Sequence, residues 1–173
     1  MNHDSYANEY IRDILLGVKT IAMVGASANA ARPSFFVLKY LAERGYAMLP
    51  INPGLAGQTI HHLPVYASLA MAPQPIDMVD VFRRSDAAGA VVDQALALPD
   101  RPKVIWMQIG VRDDLAAARA EALGVKVVMN RCPKIEYGRL SGEIGWSGVN
   151  SRVVSAKKPI AGAGFQRLAL DRD

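Results

Sequence analysis

Short, continuous apolar runs recur along the chain and alternate with stretches in which apolar residues return every three or four positions. Continuous runs of this length are typical of strands buried on both faces of a sheet, and the longer spacing is typical of amphipathic helices. The runs predict five strands, at residues 20–24, 46–51, 76–82, 103–109 and 125–129.

Capping residues indicate where the intervening helices begin and end. Pro33 suits the first turn of a helix, and Gly45 suits the position just after its last turn. Ser85 and Asp86 are predicted N-caps of the following helix. The predicted helices cover residues 7–16, the segment from Pro33 to Gly45, residues 86–98, the segment from Asp113 or Asp114 to Gly124, and residues near 134–140.

Strands that alternate with helices predict an α/β fold, because each helix carries the chain back so that the next strand can run parallel to the last. We expect a Rossmann-like three-layer domain over residues 1–140, with a five-stranded, mostly parallel sheet and helices on both faces. In the strand order 3-2-1-4-5, the fifth strand would lie two places from the first. From Ser141 onward glycines are frequent, so residues 141–173 are expected to form an irregular tail, packed on the domain or trailing from it.

Length and composition narrow the class of protein. The 173 residues are close to the ~150 of one domain. No apolar stretch approaches the ~20 residues of a transmembrane helix. Asp4, Glu9 and Arg12 interrupt the region where the apolar core of a secretory signal would lie. Because the single cysteine, Cys132, permits no internal disulfide, we expect a cytoplasmic protein.

The positive charge is confined to the last part of the chain. Residues 1–130 carry 12 basic and 12 acidic residues, whereas residues 131–173 carry 8 basic and 4 acidic ones and hold the whole net charge of +4. A basic segment can bind nucleic acid or an anionic small molecule. The segment lacks a dense Lys/Arg run and interleaved aromatic residues, so the small ligand is the favoured interpretation.

Small, polar and cationic residues follow the predicted strands, whereas the strand interiors are apolar. In an open α/β sheet, ligands bind beyond the carboxyl ends of the strands. The sequence therefore predicts one anionic ligand across this edge. The segments that end the five strands are Gly25-Ala26-Ser27, Asn52-Pro53, Phe82-Arg83-Arg84, Gln108-Ile109-Gly110 and Asn130-Arg131-Cys132.

A dinucleotide is the obvious ligand for such an edge, but two features argue against it. A G-x-G-x-x-G loop would place glycines at 25, 27 and 30, and this chain has Gly25, Ser27 and Ala30. The acidic residue that would hold the ribose of NAD is also missing, since Asn52 and Pro53 end the second strand.

The first loop can still receive a phosphate. Gly25 permits close approach of a ligand, and the helix that begins near Pro33 directs free N–H groups outward. Arg32 would add positive charge beside them. The competing interpretation is that Gly25 serves only the turn and that Arg32 is solvated.

Six motifs occur in an order that resembles the stand-alone bacterial and archaeal CoA-binding proteins, relatives of the N-terminal domain of the succinyl-CoA synthetase alpha subunit. The resemblance covers roughly residues 10–140. The motifs are Val24-Gly25-Ala26-Ser27, Arg32-Pro33-Ser34, Pro50-Ile51-Asn52-Pro53, Val79-Asp80-Val81-Phe82-Arg83-Arg84-Ser85, Trp106-Met107-Gln108-Ile109-Gly110 and Val128-Met129-Asn130-Arg131-Cys132.

The resemblance implies a Rossmann-like fold that binds coenzyme A or an acyl-CoA, and it assigns the ligand contacts by motif. Arginines suit coenzyme A because it carries a pyrophosphate and a 3′-phosphate. The implied contacts are Gly25, Ser27, Arg32 and Ser34 around the phosphates, Asn52 and Pro53 along the nucleotide, and Phe82, Arg83 and Arg84 beside the third strand. Four further strand-end residues complete the predicted site, namely Ala26, Gln108, Gly110 and Cys132.

The resemblance favours binding without catalysis, as in a carrier or sensor of acyl-CoA. The phosphorylated histidine of the synthetase belongs to a second domain, for which this chain has no room. The alternative is an oxidoreductase on the same fold that depends on NAD(P) or another nucleotide. Fold alone does not separate the two, because this architecture hosts many activities.

Other reactive residues carry weaker predictions. His61 and His62 are adjacent, so on extended chain their side chains diverge, and they are read as surface loop residues rather than metal ligands. Asp77 and Asp80 are expected to face opposite sides of a strand, with Asp80 anchoring a neighbouring backbone or helix start. Trp106 is expected in the core.

Cys132 leaves two interpretations open. It precedes Pro133 at a helix start beside Arg131, an arrangement that predicts a lowered thiol pKa and a mixed disulfide with the thiol of coenzyme A. The alternative is a small buried residue in a turn.

Overall fold

The computed structural model describes residues 1–142, which alternate between strands and helices as the sequence predicts. Within this range the elements are α1 (Asn8–Gly17), β1 (Thr20–Val24), α2 (Pro33–Glu43), β2 (Ala47–Ile51), β3 (Thr59–Ile60), β4 (Leu63–Pro64), β5 (Met78–Val81), α3 (Ser85–Leu96), β6 (Val104–Met107), α4 (Asp114–Ala122), β7 (Lys126–Val128) and α5 (Pro133–Ser141). The predicted tail lies outside the described residues, apart from its first two positions.

The five predicted strands form one parallel sheet, and helices cover both of its faces, so the predicted fold class is confirmed. Successive strand residues point to opposite faces, and each face has its own apolar core. The core on the α3 and α4 side includes Val79 and Ile105. The core on the α1, α2 and α5 side includes Met78 and Trp106.

The predicted strand order is wrong. The sheet runs β2-β1-β5-β6-β7, which is 2-1-3-4-5 for the five predicted strands. The outer edge of β2 is not open to another strand, because Tyr66 pairs there: its N–H donates to Pro50 at 2.9 Å and its carbonyl accepts from Asn52 N–H at 2.9 Å. The third predicted strand therefore pairs with β1 on the other side, and β7 lies three places from β1.

Residues near the start of the chain cover the exposed edge of β7. The hydroxyl of Tyr10 donates to the carbonyl of Val127 at 3.2 Å, and the hydroxyl of Tyr6 accepts from the N–H of Met129 at 2.7 Å. Both backbone groups belong to the edge of the sheet, where an unpaired row would be open to another strand. The helix predicted over residues 7–16 thus supports the sheet.

The predicted starts of α2 and α4 are confirmed, but the predicted N-cap of α3 is wrong. Pro33 is the first residue of α2, and Asp113 Oδ1 accepts from Ala116 N–H at 2.9 Å to cap α4. For α3 the N-cap is Arg84, and neither Ser85 nor Asp86 occupies that position. The hydroxyl of Ser85 is used elsewhere, since it accepts from Arg112 N–H at 3.0 Å.

A short hairpin, β3–β4, was not predicted. Its two-residue strands are joined by His61 and His62, which both have left-handed backbone φ angles of 49° and 66°. His61 Nε2 lies 2.9 Å from the carbonyl oxygen of Phe35, so its ring is engaged with α2. Residues 1–142 contain no cluster of three or more His, Cys, Asp or Glu placed to hold a metal ion.

Candidate functional site

A groove of about 640 Å³ lies at the carboxyl edge of the sheet. It is bounded by the start of α2, the ends of β5 and β6, and the start of α5. Its lining is mostly apolar, with three polar or cationic side chains and one thiol. The lining residues are Ala31, Pro33, Phe36, Val37, Phe82, Arg83, Gln108, Ile109, Val111, Cys132, Lys134 and Ile135.

The structure brings four of the predicted site residues together in the groove: Phe82, Arg83, Gln108 and Cys132. The other eight lining residues are not among the residues predicted to contact the ligand. Seven of those eight are apolar, and they lie just before or in the first turns of α2, in the first turn of α5, and after β6, where a sequence pattern indicates only a helix start or a strand end. Lys134 is the one with a chemical signal, since it is a cation directly after a strand end and a helix-opening proline.

The remaining predicted residues form the loops and helix starts around the groove and are absent from its lining. They are Gly25, Ala26, Ser27, Arg32, Ser34, Asn52, Pro53, Arg84 and Gly110. Ser34 is buried in the first turn of α2. The N–H of Gly110 donates to Asn130 Oδ1 at 2.8 Å, which joins the ends of β6 and β7.

Gly25 is placed where no other residue fits without displacement. Its φ angle is +93°, in the region that L side chains rarely adopt. A Cβ atom there would overlap the carbonyl oxygen of Phe82 and lie 3.2 Å from Cδ of Arg83. The loop after β1 therefore packs directly against two groove residues.

Asn52 ties the loop after β1 to the loop after β2. Its Nδ2 donates to the carbonyl of Ala26 at 2.8 Å, and its Oδ1 accepts from Gly54 N–H at 2.9 Å. Pro53 begins a single 3₁₀ turn at that point. These bonds account for an asparagine where a dinucleotide-binding domain would carry an acid: the side chain holds two loops in place through a donor and an acceptor.

Three helices begin at the groove side of the sheet with no side-chain hydrogen bond to their first turns. Their N-cap residues are Arg32 for α2, Arg84 for α3 and Cys132 for α5. The first N–H groups of a helix lack partners within the helix and carry partial positive charge. Such helix starts favour an anion, and α4 differs because Asp113 caps it.

The cations around the groove differ in their partners. Arg84 is 87% exposed and forms an ion pair with Asp86 at 3.0 Å, so its charge is directed toward α3. Arg83 lines the groove and is exposed, and no ion pair is formed by it or by Arg32 within residues 1–142. The Lys134 ammonium lies 5.5 Å from the centre of the Tyr40 ring.

The pair formed by Asp80 and Gln108 lies beneath the groove. Asp80 is fully buried, and both of its carboxyl oxygens accept from Gln108 Nε2, at 2.9 Å and 3.2 Å. Burial raises the pKa of Asp80 to about 7, although the hydrogen bond from Gln108 opposes the shift. Asp80 was expected to anchor a backbone or helix start, and this expectation is wrong: its partner is a side chain.

Asp77 has the anchoring role instead, at the opposite end of β5. Its Oδ2 accepts from the backbone N–H groups of Lys19 at 2.8 Å and Thr20 at 3.1 Å, and Lys103 lies 2.8 Å from its other oxygen. Burial would raise its pKa, but these hydrogen bonds outweigh burial and lower it. The two carboxylates therefore share no site.

Cys132 lines the groove but is not an activated thiol. Burial raises its pKa to about 11, outweighing the two backbone N–H groups at the start of α5 that lower it. The predicted lowering of the thiol pKa is wrong, because the side chain is desolvated beneath the helix start. The corrected strand order also places β7 about 14 Å from β1, at ~4.8 Å per strand, rather than ~10 Å.

Trp106 is fully buried, as predicted, and its indole N–H donates to the carbonyl of Arg131 at 2.8 Å. This bond fixes the segment that leads from β7 into α5, and so positions Cys132 and Lys134. None of the helices within residues 1–142 is long and apolar enough to cross a membrane.

Comparison with known proteins finds a family model and several similar proteins. Residues 19–138 match the family model described as CoA binding domain. The Bacillus subtilis protein YneT is 34% identical over 127 residues, covering 73% of this chain and 91% of YneT. A Thermus thermophilus structure has a TM-score of 0.73 at 35% identity, covering 78% of this chain and 99% of that one. A hypothetical protein from Pyrococcus horikoshii has a TM-score of 0.73 at 34% identity, covering 81% and 96%.

Proposed function

Because the chain belongs to the CoA binding domain family, we propose that it binds coenzyme A, free or acylated, across the carboxyl edge of its sheet. The observation that carries the proposal is the composition of the groove, which combines an apolar lining with the cations Arg83 and Lys134. Coenzyme A has the matching composition, with anionic phosphates at one end and a largely uncharged pantetheine arm at the other.

The loops around the groove suit the nucleotide end of the ligand. The uncapped start of α2 and the exposed guanidinium of Arg32 favour a phosphate, and Gly25 keeps the loop close to Arg83. Asn52 and Pro53 would lie along the adenosine. The pantetheine arm would then enter the groove between Phe36 and Ile109, which are 53% and 60% exposed at its mouth.

We also propose that the domain binds its ligand without transforming it, as a carrier or sensor. Two groups at the floor of the groove have the chemistry for catalysis, and each has a feature that opposes it. The thiol of Cys132 is protonated because its pKa is raised to about 11, and Asp80 is held by Gln108 away from bulk water. The predicted kinship with the succinyl-CoA synthetase subunit stays a prediction.

Ligand titration with a thermal-shift readout tests the proposal. Coenzyme A at 100 times its Kd should stabilise the protein by ~2.7 kcal/mol, which corresponds to a rise in Tm of about 5–10 °C for a chain of this size. NAD and NADP serve as competing ligands. A shift with either of them that equals or exceeds the shift with coenzyme A would overturn the assignment.

Calorimetry on arginine variants locates the ligand. Arg83→Ala should weaken binding of coenzyme A, because it removes a charged hydrogen-bond donor from the groove. Arg101→Ala is the matched control: Arg101 is also exposed, but it lies in the loop that precedes β6, at the opposite edge of the sheet, and donates to the carbonyl of Leu96 at the end of α3. Equal affinities of the two variants would place the ligand elsewhere.

A further inference from the structure

Asp80 is a carboxylic acid in the middle of a core strand. It lies on β5 between Met23 of β1 and Trp106 of β6, and its side chain points to the face that α1, α2 and α5 cover, as that of Met78 does. None of its surface is exposed. A buried acid in this position is costly when ionised and unpaired, so its presence calls for a role.

Gln108 connects this buried acid to the groove. It directly follows β6 and lines the groove while its Nε2 donates to both oxygens of Asp80. The oxygen and nitrogen of a side-chain amide lie in one plane and point in different directions, so the two atoms face different partners. With Nε2 turned to Asp80, Oε1 of Gln108 points away from it. Among the described residues Oε1 has no hydrogen-bond partner and is not a buried unsatisfied atom, so we infer that it faces the groove that Gln108 lines. The groove floor thus presents a hydrogen-bond acceptor.

We propose that Asp80 and Gln108 together set the polarity of the groove floor and thereby select between a thiol and a thioester at the reactive end of the ligand. When Asp80 is ionised, it accepts from Nε2 and Oε1 faces the ligand. When Asp80 is protonated, its O–H donates to Oε1, the amide turns over, and the NH₂ group faces the ligand. The inference rests on the proposed binding of coenzyme A.

The surroundings of Asp80 allow both states near neutral pH. Burial raises its pKa to about 7, and the hydrogen bond from Gln108 is the opposing influence. The helices packed on this face bring no cation against it within the buried core of residues 1–142. Their polar contributions there are Ser34 from α2 and Cys132, Glu136 and Tyr137 from α5, while α1 contributes Ile11, Ile14 and Leu15.

Two of these groups, Cys132 and Glu136, interact with charged side chains. The thiol of Cys132 interacts electrostatically with Asp80 and is itself protonated, since its pKa is raised to about 11. Glu136 is ion-paired with Arg139 at 2.6 Å. Lys134 lies in the first turn of α5 and lines the groove.

The two states favour different ligands. The S–H of free coenzyme A is a donor and suits an exposed Oε1. The carbonyl of a thioester is only an acceptor and suits an exposed NH₂ group. Acetyl-CoA should therefore be preferred when Asp80 is protonated and free coenzyme A when it is ionised.

Calorimetric titration of both ligands across the transition tests the inference. The ratio of Kd for acetyl-CoA to Kd for coenzyme A should rise about fivefold, the effect of one neutral hydrogen bond. The titrations run from about pH 5.5 to about pH 7.5. This range lies below the pKa of an ordinary thiol, so the thiol of coenzyme A stays protonated throughout. Because the two ligands share every phosphate, titration of the phosphates cancels from this ratio.

Three variants separate the pair from its surroundings. Asp80→Asn should make the ratio independent of pH at its low-pH value, because the new amide donates to Oε1 as a protonated acid does. Gln108→Leu should also remove the pH dependence, with a ratio of the two Kd values between the low-pH and high-pH values of the wild-type protein. Asp77→Asn is the matched control: it alters a carboxylate at the other end of β5 and should keep the wild-type dependence.

The outcomes distinguish the two proposals. If neither ligand binds the wild-type protein, the proposed function is wrong and the inference falls with it. If both bind with a ratio that stays constant across the pH range, or if Asp80→Asn keeps the wild-type dependence, coenzyme A binding stands and the inference is wrong. Should Asp80→Asn not fold, Gln108→Leu together with the ¹³C titration of Asp80 in the wild-type protein decides the same question.

Discussion

Replacement of Gly25 by alanine perturbs the point where the loop after β1 meets the end of β5. At a φ of +93° an alanine is strained, by ~1–2 kcal/mol for left-handed backbone. The added Cβ would also overlap the Phe82 carbonyl oxygen and press on Arg83, and overpacking of this kind costs ~1–3 kcal/mol. Together these effects predict a loss of about 2–5 kcal/mol in the free energy of unfolding.

Gly45→Ala provides a matched control for the two effects. Gly45 has a φ of +83°, close to that of Gly25, but its Cβ would meet no atom within 4 Å. Its replacement should therefore cost only the backbone strain, about 1–2 kcal/mol. The difference between the two variants isolates the contact with Phe82 and Arg83.

Urea denaturation of both variants measures the loss, and titration with coenzyme A measures its consequence for the groove. Gly25→Ala should also weaken the ligand, since relief of the overlap moves two groove residues, whereas Gly45→Ala should leave affinity unchanged. Equal losses of stability in the two variants would refute the close approach. So would an unchanged affinity in a folded Gly25→Ala protein.

Three further predictions concern single groups. Cys132 should react slowly with iodoacetamide at neutral pH and faster toward pH 11, because burial raises the pKa of its thiol to about 11; rapid alkylation at pH 7 would contradict this. Asp113→Ala should lower the free energy of unfolding by ~1 kcal/mol through loss of the α4 cap, measured in urea against Asp114→Ala, which leaves the cap intact. The Asp80 carboxyl, with a pKa of about 7 folded and ~3.9 unfolded, binds more protons in the native state, so its contribution to stability is present below pH 4 and is lost as pH rises through 7. Asp80→Asn should therefore gain stability relative to wild type between pH 5 and pH 8, and a constant difference would count against the raised pKa.

Features that depend on residues close together in the sequence could be predicted from the sequence alone. The five strands, the start of α2 at Pro33 and its end before Gly45, and the start of α4 at Asp113 or Asp114 all follow from local rules of periodicity, capping and backbone freedom. The edge of the sheet at which the site lies also follows, because strands joined by helical crossovers are parallel and end on the same side. This was enough to predict that Phe82, Arg83, Gln108 and Cys132 lie near one another, and the structure has all four in the lining of one groove.

Features that depend on contacts between residues far apart in the sequence were decided only by the tertiary structure. Strand order could not be read from the chain, since it depends on Tyr66 occupying the outer edge of β2. The pKa of Cys132 depends on how deeply packing buries the thiol, and burial outweighs the local helix start. Asp80 meets Gln108 only because β5 and β6 are neighbours in the sheet, 28 residues apart in sequence. A sequence pattern records which groups a chain carries, but the dielectric surroundings and the partners of each group are set by long-range packing.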